Sequence, residues 1–423
     1  MVDAVTLSPD YHFRFKDSLL GMQTLLIALG ALVMMPLLTG LDPNVALFTA
    51  GLGTLIFQVC TKGKIPVFLG SSFAFVAPAI YGIQQWGLAA TMSGLAFAGV
   101  AYFVLAFLVQ WRGLTAVNRI LPPIVTGPVI ISIGLILAPV AVNMAMGRSG
   151  DGSIVLYPES QALMLAMLAL SVAIATRMLA RGWVQLLPIL SGVCVGYLAA
   201  FKMDLIDFTH VAQAVWFKIP NFTAPEWNWQ AVILIFPVAL VSAVEHVGDI
   251  MAISAITRRK LYADPGLHRS LLGDGIATAV GSCLGGPPSI TYAEVTAGVA
   301  LTRAFNPAIM TWAAIIAVLL SFIDKVGAFL QTIPSPVMGG LMILLFGMIA
   351  VVGVNILVES REDLMRPRAM TIVGLILVIP IGGLSFGWGS FTLSGIGLAG
   401  IVGIVMNLIL PVDPQSAVQT THE

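Results

Sequence analysis

Runs of about twenty mostly apolar residues recur along this chain from residue 19 to residue 411, separated by short polar or Gly/Pro-rich turns. No other feature restricts the fold as much. A run of that length crosses a bilayer as a helix, and inside lipid every backbone N–H and C=O must be satisfied by the protein itself. Fourteen segments can be marked, near 19–39, 44–61, 67–82, 88–110, 120–145, 160–180, 184–201, 229–256, 268–284, 288–301, 305–329, 333–357, 368–385 and 391–411. The third and tenth are short and punctuated. The sequence therefore predicts an all-α polytopic membrane protein. Charged residues are only 9% of the chain and the formal net charge is zero, which offers no basic field to a nucleic acid. The first 18 residues are polar without a signal-peptide layout, so the first segment is read as a retained span.

The charges give a topology. With the N-terminus in the cytoplasm, all but four of the twenty Lys and Arg residues fall on the inside, the exceptions being Arg148, Lys202, Lys218 and Lys325. A missed or extra span would scramble that bias, and both termini are expected inside. Cys60, Cys194 and Cys283 lie in apolar segments without metal-ligand spacing and are read as small buried hydrophobes. No metal or cofactor is expected.

"LPPIVTGPVIISIGLILAPVAVN" (121–143) aligns without a gap to "IPSPVMGGLMILLFGMIAVVGVN" (333–355) at an offset of 212. Pro122 meets Pro334, Gly127 meets Gly339, and Val142-Asn143 meets Val354-Asn355. These are the fifth and twelfth segments. An odd number of crossings separates them, so the two halves have opposite polarity, as in the inverted repeats of secondary transporters. The same logic directs attention to interrupted segments at corresponding positions of the halves. "KIPVFLGSSFAFVAPAI" (64–80) and "GGPPSITYAEVTAGVAL" (285–301) qualify: each reads as a short strand leading into a half-helix. Such backbone must line a cavity or be buried in protein. Two half-helix N-termini would then aim free N–H groups at the membrane midplane.

Four carboxylates fall within the segments: Glu245, Asp249, Asp274 and Glu294. An ionisable group at that depth costs several kcal/mol and marks a functional site by default. Glu245 and Asp249, four residues apart, share a helix face, while His246 points elsewhere. Paired carboxylates in a low dielectric repel when both are charged, which makes them a natural place to bind a proton. Carboxylates accept hydrogen bonds and helix N-termini donate them. A flat, uncharged ring with N–H and C=O groups on its rim suits both, with Phe73, Phe75 and Tyr292 as an aromatic wall. No Lys or Arg is expected near the midplane to receive an anion.

"KGKIPVFLGSSFAF", "EHVGD", "DPGLHRS", "TYAE…ALTR" and "IPSPVMGG" together resemble the nucleobase–ascorbate transporter family, within it most closely the bacterial uracil permeases, over about residues 19–411. The resemblance implies fourteen segments in two inverted repeats of seven. It implies a core domain (19–115 and 229–330), a gate domain (116–205 and 331–411), an extracytoplasmic loop at 206–228, and cytoplasmic tails at 1–18 and 412–423. It also implies a homodimer in the bacterial inner membrane that imports a nucleobase together with a proton. Carried across residue by residue, Glu245 and Glu294 match the substrate-binding glutamates of the uracil permeases, and Phe73 and Ala293 the positions whose backbone meets the base. Tyr292 stands beside them. Departures are specific. Thr24 and Asp249 stand where uracil permeases carry histidines, and Val295 and Ala297 replace the family's asparagine and glycine. Asp249 with Asp274 is closer to the xanthine and purine members. The expectation is a proton symporter for uracil or a related pyrimidine, with Glu245, Asp249 and Asp274 as proton carriers. Two alternatives stand beside it: a xanthine or purine permease, and an anion transporter or channel on the same fold. No HExxH, GxSxG or clustered His/Cys suggests an enzyme.

Overall fold

The computed structural model describes residues 11–113, 119–388 and 391–411. Most of the expected N-terminal tail and all of the C-terminal tail lie outside them. Among the described residues, fourteen principal helices fall near the marked segments: α1 (Ser18–Thr39), α2 (Pro43–Cys60), α3 (Val76–Trp86), α4 (Leu88–Arg112), α5 (Pro123–Ala145), α6 (Glu159–Leu179), α7 (Pro188–Lys202), α8 (Trp229–Thr257), α9 (Leu267–Cys283), α10 (Ala293–Thr302), α11 (Ala308–Ser321), α12 (Ser335–Ser360), α13 (Pro367–Ile381) and α14 (Gly395–Ile409). Seven of them, α1, α2, α4, α5, α6, α8 and α12, are long and apolar enough to cross a membrane by length and composition. The chain is a helical integral membrane protein.

Three details depart from the sequence reading. The eleventh segment is not one rod: after α11 the chain bends by 84° into a short helix, Asp324–Gln331. The break falls where the apolar run gives way to Asp324 and Lys325, and Ile323 there is extended. The thirteenth and fourteenth segments are joined by an antiparallel hairpin, Ser385–Trp388 with Phe391–Ser394. Its aromatic and Gly residues hide a two-residue period inside an otherwise helix-length apolar run. Finally, Cys194 and Cys283 are exposed rather than buried. In a membrane bundle the outer surface is itself apolar, so an apolar context does not imply an interior position.

The two interrupted segments fold as expected. β1 (Leu69–Ser71) pairs antiparallel with β2 (Ser289–Thr291), Gly70 opposite Ile290, and all six residues are buried. A two-stranded ribbon alone leaves outer edges unpaired, and the chain supplies partners from two corresponding helices of the repeat. Thr54 of α2 accepts a hydrogen bond from Leu69 N at 2.9 Å, and Thr278 of α9 accepts one from Ser289 N at 3.1 Å. Gly285, at φ +88°, makes the left-handed turn that "GGPP" needs to leave α9 and enter β2.

The closest helix packing falls into two sets. α4 packs on α8 and α9, α2 on α9 and α11, and α1 on α11; separately, α5 runs along α12, α6 packs on α7 and α12, and α13 on α5 and α14. The α5–α12 crossing shows how the repeat is used. Gly127 abuts Gly353 O, and its repeat partner Gly339 abuts the backbone at Met144 and Ala145. Small residues let the backbones close up where lipid gives no hydrophobic drive to associate. At Gly340, on the neighbouring face of α12, a Cβ would fall on the Ala166 carbonyl of α6. Overpacking of this kind costs roughly 1–3 kcal/mol or more. Gly340→Leu should lower the unfolding temperature of the detergent-purified protein by several degrees; an unchanged temperature would mean that this contact does not hold α12 to α6.

Candidate functional site

A cavity of about 240 Å³ lies against the ribbon. That is below the roughly 300–1,000 Å³ of drug-sized pockets and leaves room for one small ring system. The two walls differ. One is built from Ser71 at the end of β1 and Phe73 and Ala74 after it, from Ile290 to Glu294 and Ala297 at β2 and α10, and from Glu245 of α8. The other is mostly apolar: Ile130 and Ile133 of α5, and Leu345, Met348, Ile349 and Val352 of α12, with Arg177 of α6 at its edge. Phe73 meets Phe346 of α12 edge-on at 6.5 Å between ring centres, so the aromatic ring of the first wall rests on the second.

The half-helix geometry follows from local sequence. Tyr292 is extended (φ −93°, ψ 116°) and ends the strand; α10 starts at Ala293 with no side chain capping it. The first-turn N–H groups at Ala293 and Glu294 therefore lie at the cavity wall with no cap from the Tyr292 side chain, that of Glu294 facing its own carboxylate. Glu294, in that first turn, places a carboxylate at the positive end of the helix dipole. Phe73 stands in the corresponding place, in a 3₁₀ turn (Phe73–Phe75) that leads into α3.

Glu245, Glu294, Phe73, Ala293 and Tyr292 thus line one cavity. Tyr292 reaches it from behind: it is 3% exposed, its ring packs on Gly70, and its hydroxyl donates to Ser71 O at 3.1 Å. Phe75 does not reach the cavity and is fully buried. Asp249 and Asp274 stand outside the wall. Asp249 Oδ2 accepts a 2.6 Å hydrogen bond from the hydroxyl of Thr291, which does line it. Asp274 Oδ2 lies 3.0 Å from His246 Nδ1, both side chains fully buried, at ion-pair distance but not in hydrogen-bond geometry. His246 thus faces α9, away from the cavity. Ser242, one turn earlier on α8, joins Ser72 and the Tyr102 hydroxyl at 3.0 Å each, tying α4 and α8 to the backbone beside Phe73.

The sequence reading passed over three lining groups. Ser71 Oγ is buried and has no hydrogen-bond partner among the described residues, so it is free to meet an occupant. Thr291 offers a second hydroxyl. Against the expectation that no Lys or Arg stands near the site, Arg177 brings a cation to the wall opposite Glu294. Its position at the end of an apolar segment gives no signal of this. The two departures Thr24 and Val295 line one small gap between α1 and α10, and the Thr24 hydroxyl is occupied by Leu20 O at 2.9 Å.

Residues 15–386 match the model of the Permease family, that of the xanthine and uracil permeases. A probable uracil permease of Haemophilus influenzae is 50% identical over 398 residues, covering 94% of this chain and 95% of that one. The uracil permease of Bacillus caldolyticus is 44% identical, covering 94% and 93%. That of Escherichia coli is 36% identical, covering 92% and 90%. Among solved structures, the transmembrane domain of a cyanobacterium bicarbonate transporter superimposes with a TM-score of 0.65 at 15% identity, over 96% of this chain and all of that one. The murine Solute Carrier 26 family member A9 anion transporter in the inward-facing state gives 0.65 at 13% identity, over 97% of this chain and 69% of that one. At such identities the structures speak for the fold alone. The sequence matches reach further, over nearly the whole length at 36–50% identity, and on them this chain belongs to the xanthine/uracil permease family.

Proposed function

We propose that this protein is a proton-coupled symporter that imports uracil or a closely related pyrimidine by alternating access. The observation that carries the reading is the cavity itself. It holds two carboxylates and a helix start on one wall, and a mostly apolar surface with Arg177 at its edge on the other. A planar ring with both N–H and C=O groups on its rim uses the acceptors and the donors together. The curated relatives named as uracil permeases support the choice of base.

Fourteen crossings, with both termini in the cytoplasm of a bacterial inner membrane, agree with the distribution of Lys and Arg. The core domain (19–115 and 229–330) would carry the base, and the gate domain (116–205 and 331–411) would supply the apolar wall it slides on. The grouping of helix contacts supports that division. The protein would work as a homodimer, with the proton as its coupling ion, bound among Glu245, Asp249 and Asp274.

A second reading, anion transport, is favoured by Arg177 in the wall. Glu245 and Glu294 would repel an anion from the same cavity. Uptake of labelled uracil, xanthine, sulfate and bicarbonate into vesicles with an inward proton gradient separates the possibilities. Uracil should accumulate, and collapse of the gradient should stop its accumulation. Glu245→Gln should reduce gradient-driven accumulation at least tenfold, since one loss at a coupled site removes a charge-assisted hydrogen bond of about 1.5–3 kcal/mol. Sulfate or bicarbonate uptake without uracil uptake would end the nucleobase reading.

A further inference from the structure

Asp249 has no place in the cavity wall, yet the hydrogen bond from Thr291 connects it to a residue that does. A hydroxyl has one hydrogen to give and two lone pairs. In the structure that one hydrogen is committed to Asp249 Oδ2 at 2.6 Å. Toward the cavity, Thr291 can then only accept.

We infer that Thr291 is the residue through which a proton on Asp249 changes what the cavity recognises. With Asp249 ionised, the Thr291 hydrogen points at the carboxylate and its lone pairs face the occupant. When a proton from the aqueous phase binds Asp249, an O–H bond forms there and the carboxylic acid donates to Thr291 Oγ1. The Thr291 O–H stays intact but is released to turn into the cavity, where it now donates. Only one O–H bond is made, and the wall changes from acceptor to donor. A ring C=O would be held by the protonated state and released by the ionised one.

The surroundings suit this role. Asp249 shares its helix face with Glu245, and His246 lies beside it on α8. Glu294 of α10 faces it from the other side, and across the cavity Arg177 of α6 faces Glu294. His246 is drawn off toward Asp274 of α9, and Tyr102 of α4 toward Ser242, so neither takes the Asp249 carboxylate. Thr291 is the hydrogen-bond partner the structure gives it. Thr291 is fixed in turn, because its backbone is in register with Leu69 across the ribbon. The hydroxyl can turn while the strand stays.

This inference rests on the nucleobase reading above and is tested on the purified full-length protein. Uracil affinity is measured by calorimetry near pH 6 and near pH 8 for the wild type and for Thr291→Val, Thr291→Ala and Thr291→Ser, with unfolding temperatures alongside. Wild type and Thr291→Ser should bind about tenfold more tightly at the lower pH, the change expected from one hydrogen bond gained. Thr291→Val should differ by less than about twofold between the two, having no hydrogen to turn. Should Thr291→Val fail to fold, Thr291→Ala decides by the same criterion. Asp249→Asn should be equally flat. A merely structural role would lower the unfolding temperature and weaken binding equally at both pH values, which would overturn the inference. So would a wild-type pH dependence that survives in Thr291→Val or Thr291→Ala while uracil still binds. Absence of uracil binding by the wild type at both pH values is a different failure, that of the nucleobase reading, and would take this inference with it.

Discussion

Glu294→Gln should weaken uracil binding by about ten- to a hundredfold, the range that follows from losing a charge-assisted hydrogen bond of roughly 1.5–3 kcal/mol. The substitution keeps the shape of the side chain and removes only its charge and one acceptor oxygen. Glu294 is half-buried at the cavity and sits in the first turn of α10, where the helix dipole favours a negative charge. Glutamine in its place presents an NH2 group where a ring N–H would need an acceptor, so two donors face each other. The fold should tolerate the change, because the Glu294 carboxylate meets only its own backbone N–H and Gln keeps an acceptor oxygen for it. Titration calorimetry of the purified variant with uracil gives the affinity directly, and the unfolding temperature without ligand gives the control. An affinity within about twofold of the wild type, in a variant with an unchanged unfolding temperature, would remove Glu294 from the site.

The breaks at the ribbon were legible because Gly and Pro cluster there, whereas single prolines such as Pro36 and Pro237 sit inside continuous helices. "GGPP" stops α9, and no lipid-facing backbone could follow it. Glu245 and Glu294 stood out for a related reason, as charges at a depth where charge is costly. What stayed hidden was pairing at a distance. Nothing in the sequence ties Asp249 to Thr291, or His246 to Asp274, across helices. Thr54 and Thr278 look like ordinary small residues of membrane helices, yet they complete the ribbon's backbone hydrogen bonds. Ile130, Met348 and Val352 form the opposite wall and are indistinguishable in sequence from packing residues. Arg177 obeys the positive-inside rule, which accounts for its charge without pointing to the cavity.

Gly70→Val should abolish measurable uracil binding, and Gly70→Ala should weaken it at least tenfold. A Cβ at Gly70 would overlap the ring of Tyr292, which is 3% exposed and has no free space on that side. The strand cannot retreat, because Gly70 is paired with Ile290 and its neighbour Leu69 is held by Thr54. The ring must therefore move, and the Tyr292 hydroxyl then lets go of Ser71 O. Tyr292 is also the residue from which α10 starts, so its displacement shifts Ala293 and Glu294 together. Overpacking by one methyl costs about 1–3 kcal/mol in stability, so most of the expected loss is in site geometry rather than in folding. A double-mutant cycle separates the two. Tyr292→Ala removes the ring that a Cβ would strike, so in its background Gly70→Ala should cost little further stability or affinity. Equal cost of Gly70→Ala with and without the Tyr292 ring would show that the contact between them does not set the shape of the cavity.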